Sequence, residues 1–170
     1  HKPTEVIAIG KEVYAKLSYR SSTEGIIAVA HTKNHNLEGF IADKEDLLLL
    51  VAEAPEKPGN IGALLRTADA AHIDGVIIAN PKTDLYNPNI IRSSVGCVFT
   101  IPIAMGTTAE VLNFLQTKHI NSYCAALTAS KPYYEVSLKG RTAIVVGTED
   151  EGLTDEWLQQ STQNIIIPME

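Results

Sequence analysis

The sequence is poor in cysteine, with two residues, Cys97 and Cys124, in 170. Neither belongs to a CxxC pair, and both sit among apolar neighbours. A disulfide framework is therefore excluded, and both read as buried small hydrophobes of a cytoplasmic protein. Metal-ligand spacing is missing too. Among the five histidines (His1, His31, His35, His72, His119) only His31 and His35 stand four apart, and Lys33 and Asn34 between them read as loop. No metal is expected. No apolar run is long enough to cross a bilayer and no secretory signal is present, so no membrane partner is expected. Basic residues are outnumbered, 14 Lys and Arg against 20 Asp and Glu, for a net charge of −6. That argues against a surface that grips nucleic acid everywhere, but leaves room for a local basic site.

The common nucleotide signatures are also absent. A dinucleotide fingerprint needs GxGxxG after the first strand and an acid near the end of the second. Gly59 and Gly62 do not have that spacing, and Asn80 stands where the acid would be. No Gly-Lys-Ser/Thr occurs, so there is no P-loop, and the glycine-rich loop of ordinary Rossmann-type methyltransferases is missing. These absences remove a nucleotide-dependent oxidoreductase from serious consideration.

What is present is an ordinary globular composition, 45% hydrophobic and 20% charged, in a chain long enough for one compact domain. The spacing of Val6, Ile9, Val13 and Leu17 predicts a helix over residues 6–17. A polar break over 18–25, a short strand over 26–30 and a polar linker over 31–38 follow. From Asp46 the pattern becomes regular. Strands are expected at 47–52, 76–79, 99–103, 123–127, 143–146 and 164–168. Helices are expected at 60–71, 89–95, 108–118 (capped by Thr107 or Thr108) and 155–160. The alternation implies an α/β fold, a mostly parallel sheet with helices on both faces.

In such sheets ligands bind beyond the carboxyl ends of the strands, which directs attention to the loops at 53–60, 128–134 and 147–154. In the first, Pro55, Pro58 and Gly59 stop the strand, and Asn60 stands near a helix N-terminus. Arg66 follows six residues later, with reach toward the same cleft. Asn60 as a mere cap and Arg66 as a solvated cation is the plain alternative. In the 147–154 loop, Gly147 permits close approach to the backbone and Glu149 points into the cleft. Three consecutive acids there would repel phosphate but tolerate a cation such as a sulfonium; a solvated acidic turn is the alternative. The segment 164–168, taken alone, is a core strand.

Taken in order, these segments resemble the SpoU-type (TrmH-like) branch of the SPOUT RNA ribose 2′-O-methyltransferases. The first motif is Asn60-Ile61-Gly62-Ala63-Leu64-Leu65-Arg66-Thr67-Ala68. Ser94-Val95-Gly96 follows, leading to Phe99 and Pro102. The second motif is Gly147-Thr148-Glu149-Asp150-Glu151-Gly152-Leu153, and the third opens with Ile167-Pro168-Met169. The resemblance implies a C-terminal trefoil knot, S-adenosylmethionine as cofactor, RNA (rRNA or tRNA) as substrate, and a homodimer. It also implies Leu127, Thr128, Gly147, Ile167 and Met169 around the cofactor, and Asn60, Arg66 and Glu149 as the catalytic polar cluster. Arg66 then either accepts the ribose proton in a special environment or orients the nucleophile and stabilises the oxyanion. Glu149 fixes the cleft, with Arg66 as one partner to test. Residues 1–40 are expected to be the tail of an N-terminal RNA-binding domain plus a linker. Residues 41–170 are expected to be the methyltransferase domain without its C-terminal end, because in the family the third motif runs on into Ser-Leu-Asn and a final helix. A non-catalytic RNA-binding protein on the same fold is the rival reading.

Overall fold

A computed structural model describes residues 5–19, 25–41, 44–128 and 130–168. The chain divides into two compact units, His1–Lys33 and Asn34–Glu170.

Among its described residues the first unit contains one helix, α1 (Lys11–Leu17). It starts after Gly10, five residues later than the apolar spacing predicts. None of the described residues of this unit is buried. The expected strand at 26–30 is not a strand: without a partner backbone, its N–H and C=O groups form no ladder. Most of the predicted polar break at 18–25 lies outside the described residues.

The second unit opens with β1 (Leu47–Glu53), α2 (Pro58–Ala70) and β2 (Gly75–Ala79). Helices α3 (Pro88–Ser93) and α4 (Cys97–Thr100) lead to β3 (Ile103–Gly106), α5 (Thr108–Thr117) and β4 (Asn121–Ala125). The two-residue β5 (Lys131–Pro132), a 3-10 turn (Tyr133–Glu135), β6 (Arg141–Val146), α6 (Asp155–Gln160) and β7 (Gln163–Ile166) complete it. The strands form one sheet in the order β3-β2-β1-β6-β4-β7-β5, and every pairing is parallel.

A parallel sheet must be covered on both faces, and alternation along the strands assigns each face its core. Leu47, Leu49 and Val51 of β1, with Ile77 of β2 and Val145 of β6, pack under Val111 and Leu115 of α5 and Trp157 of α6. Val76 and Ile78 of β2 pack on the opposite face, under Ile61 and Leu65 of α2 and Ile90 of α3. Each fully buried side chain of this size contributes about 1.5–3 kcal/mol of transfer free energy. Residues 35–41, read as linker and its end, are packed on the unit. The His35 carbonyl accepts from the Met105 N–H at 2.6 Å. Leu37, Phe40 and Ile41 lie against the first of the two cores.

The strand expected at 99–103 is displaced. Residues 99–103 are not a strand: α4 occupies Cys97–Thr100, and β3 begins only at Ile103. Gly96, at φ 94°, turns the chain into that helical turn, and its carbonyl accepts from the Phe99 N–H at 2.9 Å. Pro102, which has no N–H to give, marks the point where extended chain resumes. The predicted start of α5 holds, with Thr107 and Glu110 forming a reciprocal capping box.

Glu53, at the end of β1, is 3% exposed and points into the core beneath α5 and α6. Trp157 Nε1 donates to its Oε2 at 2.7 Å and Asn80 Nδ2 to its Oε1 at 2.9 Å. The Thr108 hydroxyl donates to the same carboxylate at 2.9 Å. Truncation would strand these donors in an apolar site. Glu53→Ala is therefore expected to lose about 3 kcal/mol or more. Urea unfolding followed by the fluorescence of Trp157, the single tryptophan, checks this; an unchanged midpoint refutes it.

Candidate functional site

The site is built where β1 and β6 run side by side and release their loops at the carboxyl edge. After β1 the chain turns at Pro55 and enters α2 at Pro58, with Lys57 as the N-cap residue. Asn60 is then the third helical residue and does not cap the helix. Its side chain reaches out of α2 instead: Nδ2 donates to Oε1 of Glu149, across 89 residues of sequence. The other oxygen of Glu149 takes Lys57 Nζ at 2.6 Å. Lys57 bonding and charge hold the Glu149 carboxyl below the usual glutamate range, with the Asn60 bond assisting and burial opposing. Lys57 is raised in return, chiefly by its bond to Glu149. Both groups are exposed, so the pair fixes geometry more than it adds stability.

The loop that carries Glu149 is closed on itself. Thr148 N–H donates to the Gly152 carbonyl at 3.0 Å, and Gly152 N–H returns the bond to Thr148 at 3.1 Å. Gly152 takes φ 71°. A Cβ on Gly147 would lie 2.1 Å from the Gly152 carbonyl carbon. What presses against Gly147 is thus its own loop, where the sequence suggested a ligand. Together the two loops line a cleft of about 460 Å³, with Lys57, Asn60 and Leu64 on one wall and Gly147 and Glu149 on the other. Glu56, Asp150 and Glu151 also line it, so the cleft is acidic apart from Lys57.

Arg66 does not join this cluster. Six residues at about 100° each carry it about 240° round α2 from Asn60. There it is exposed, and its Nη1 donates to the Ser93 carbonyl at the end of α3. Glu149 is therefore bonded to Lys57 and Asn60, whereas Arg66 is bonded to Ser93. The α2–α3 contact depends on Gly62, because a Cβ there would lie 2.6 Å from Ser93 Cβ. Ser93 Oγ in turn donates to the Pro58 carbonyl at 3.1 Å.

The residues expected around a cofactor stand further along the same edge. Leu127 and Thr128 follow β4, Gly147 follows β6 and Ile167 follows β7, and these three strands are neighbours. The Ala126 N–H donates to the Ile165 carbonyl at 3.0 Å, tying the ends of β4 and β7 together. Leu127 is 84% and Ile167 61% exposed, leaving an apolar surface at the edge. Met169 lies outside the described residues.

Sequence reasoning passed over Lys57, Glu53 and Ser93. Lys57 carried a faint signal, a cation beside a helix start facing a later run of three acids; the other two carried none. Cys124 is buried, and burial pushes its thiol up to about 12, whereas Cys97 is half-buried. Among the described residues no three His, Cys, Asp or Glu side chains gather as a metal site. No helix among them is long and apolar enough to cross a membrane.

The profile of the SpoU rRNA methylase family matches residues 47–170. The chain is 27% identical to the 23S rRNA (guanosine(2553)-2'-O)-methyltransferase of Bacillus subtilis over 161 residues, 95% of this chain and 62% of that protein. The SpoU methyltransferase AviRb of Streptomyces viridochromogenes, solved in complex with AdoMet, superposes with a TM-score of 0.75 at 26% identity, covering 81% of this chain and 56% of that one. The fold alone is also shared with the AdoMet-bound rRNA methyltransferase of Sinorhizobium meliloti, with a TM-score of 0.87 at 24% identity over 95% of this chain and 62% of that one. The chain spans about three-fifths of the length of the curated relatives it matches.

The Lys57–Glu149 pair has a defined pH signature. A lowered folded value for Glu149 means that its contribution is present above the ordinary glutamate range and lost as pH falls through the folded value. The raised value of Lys57 preserves the pair until strongly alkaline pH. In a carbon-13 NMR titration the Glu149 carboxyl is expected to titrate at higher pH in Lys57→Ala than in the unsubstituted protein. Coincident titration curves would show that the pair does not form in solution.

Proposed function

The chain belongs to the SpoU rRNA methylase family, and on that premise we propose that it is the catalytic domain of an S-adenosylmethionine-dependent RNA 2′-O-methyltransferase. The observation that carries the reading is the bond between Asn60 and Glu149. It brings the first and second motifs together at the carboxyl edge of a parallel sheet, where ligands of such sheets bind.

The residues present fit the cofactor. Leu127 and Ile167 offer uncovered apolar surface beyond neighbouring strands, suited to the flat face of an adenine. Gly147, and Thr128 with its hydroxyl, flank that surface, and Met169 belongs to the same proposed set. The acids Glu149, Asp150 and Glu151 suit a positively charged sulfonium better than a polyphosphate. S-adenosylmethionine supplies, when bound, a methyl group already activated for transfer. AviRb, solved with AdoMet, supports the assignment.

What remains for the protein is to position and polarise the ribose hydroxyl. A guanidinium is a donor without an acceptor site. Arg66 therefore orients the 2′-oxygen and stabilises its developing negative charge. The Ser93 carbonyl holds the guanidinium in place meanwhile. Asn60 and Glu149 keep the two loops in register, with Lys57 closing the other side of the carboxylate. In sheet order β6 lies between β1 and the β4–β7 edge, so the Glu149 loop stands between the nucleophile side and the cofactor side.

The relatives named for 23S rRNA support ribosomal RNA as the substrate, with transfer RNA the alternative inside the same chemistry. Residues 1–40 are proposed as the end of an RNA-binding domain with its linker, which accords with the exposed apolar side chains of α1 and of residues 26–29. The trefoil knot is proposed from the strand order. β7 lies between β4 and β5, an order that accords with such a knot. A cytoplasmic homodimer without a metal completes the proposal.

In the full-length protein, Arg66→Ala is expected to lower transfer of tritiated methyl to RNA by about a hundredfold or more. S-adenosylmethionine binding by calorimetry should stay unchanged. Full turnover by the variant would remove Arg66 from the reaction.

A further inference from the structure

Lys57 stands where helix physics disfavours it. It is the N-cap residue of the 13-residue α2, and its side chain makes no capping bond. Capping needs an acceptor side chain, and the partial positive charge of a helix N-terminus opposes a lysine. Natural sequences break such local rules mainly where a functional site requires it. The Lys57 ammonium reaches instead to Glu149, 92 residues away, at 2.6 Å.

The choice of partner is selective. The cleft is lined by four acids, Glu56, Glu149, Asp150 and Glu151, and among its described residues Lys57 is the one base. Glu56 and Asp150 also attract Lys57 by charge, yet among the described residues its ion pair is with Glu149. Glu149 is also the acid that Asn60 bonds. The bonds of its own loop run between Thr148 and Gly152 and from the Glu151 N–H to the Thr148 hydroxyl. Both oxygens of Glu149 are therefore held from the opposite wall. Lys57 and Asn60 grip as one unit, because the Lys57 carbonyl accepts from the Asn60 N–H at 3.0 Å.

The grip has a chemical consequence at Asn60. A carboxylate only accepts, so the amide nitrogen of Asn60 must face it. Oδ1 is thereby turned away from Glu149, and it has no partner among the described residues. A protonated Glu149 would carry a donor and could bond either end of the amide. The ionised form thus selects one of two amide orientations. We propose that Lys57 is a positioning residue for methyl transfer: it acts through Glu149 to hold the Asn60 amide in one orientation, with Oδ1 presented to the cleft as a hydrogen-bond acceptor. The proposal rests on the methyltransferase reading above and adds a residue outside the family motifs. Lys57 touches neither substrate in this role, so its loss lowers kcat and leaves the KM values in place.

The test compares Lys57→Met, which keeps an unbranched side chain and removes the charge, with Lys57→Arg, both in the full-length protein. The assay is transfer of tritiated methyl to 23S rRNA from cells lacking the gene. Lys57→Met is expected to lower kcat about tenfold at neutral pH, with KM for S-adenosylmethionine and for RNA within about twofold and the melting temperature unchanged. Lys57→Arg is expected to recover most of the lost rate. The pH profile supplies a signature that a merely structural role would not move. Glu149 is held below the usual glutamate range, first by its bond to Lys57, so activity that needs the carboxylate is lost only as pH falls through that lowered value. In Lys57→Met the acid limb of kcat is expected at higher pH, while Glu56, Asp150 and Glu151, the other titratable groups lining the cleft, are common to both proteins. An unchanged kcat, an unmoved acid limb, a loss confined to KM or a lower melting temperature overturns the proposal, as does a Lys57→Arg protein as slow as Lys57→Met. Absence of tritium transfer by the unsubstituted protein overturns the methyltransferase reading and the proposal with it; transfer without these effects overturns the role of Lys57 alone.

Discussion

The buried carboxylate of Glu53 is the constraint on which the site depends. A carboxylate in a protein core is tolerated only when its oxygens are satisfied. Here the donors come from three directions: Asn80 just past β2, Thr108 at the start of α5 and Trp157 in α6. β1 cannot shift along the sheet without breaking all three. The first loop of the cleft leaves the chain one residue after Glu53, and the second ends at Leu153, four residues before Trp157. The same hydrogen bonds that satisfy Glu53 therefore set the distance between the two loops, and hence allow Asn60 to meet Glu149.

A second constraint works from the opposite face. α2 lies against α3 closely enough that Gly62 has no room for a Cβ beside Ser93. The contact gives Ser93 two tasks, its hydroxyl bonding the start of α2 and its carbonyl holding Arg66 further along that helix. One glycine in the first motif thus determines where the arginine of the same motif points. The motif reads as a short string of residues, but its parts look in different directions: Asn60 toward β6, Gly62 toward α3, and Arg66 toward the end of α3.

This division explains what could be read from the sequence. β1, β2 and β6 are continuous apolar runs covered on both sides, and their positions followed from composition alone. α6 was legible to the residue, and α5 to within a residue at its end, because a capping box and a polar start mark them. β3 was misplaced because Gly96 and Pro102 impose a helical turn inside an apolar stretch that otherwise reads as strand. The segment 26–30 has the composition of a strand and lacks a partner, which no local pattern reveals. At the site, Asn60, Arg66 and Glu149 were singled out by ordered motif spacing. Their partners Lys57 and Ser93 were not, since those pairings exist only after α2 has docked on the sheet. The rotation of Arg66 away from Asn60 was implicit in a separation of six helical residues; its destination was not.

The acidic net charge, which argues against a nucleic-acid surface when taken as a whole, becomes intelligible once charges are assigned to places. Glu56, Glu149, Asp150 and Glu151 gather at the β1–β6 cleft, beside the edge proposed for a cationic cofactor. Arg66 and Arg92 lie on the α2–α3 side, where Arg66 is proposed to meet the ribose. Exposed charges are screened over about 10 Å at moderate ionic strength. Each region therefore presents its own sign at contact distance, and the chain's total describes neither. Lys57 is the exception that fits the scheme. Tied to Glu149, it offsets the charge of the one acid that the proposed reading puts between cofactor and ribose.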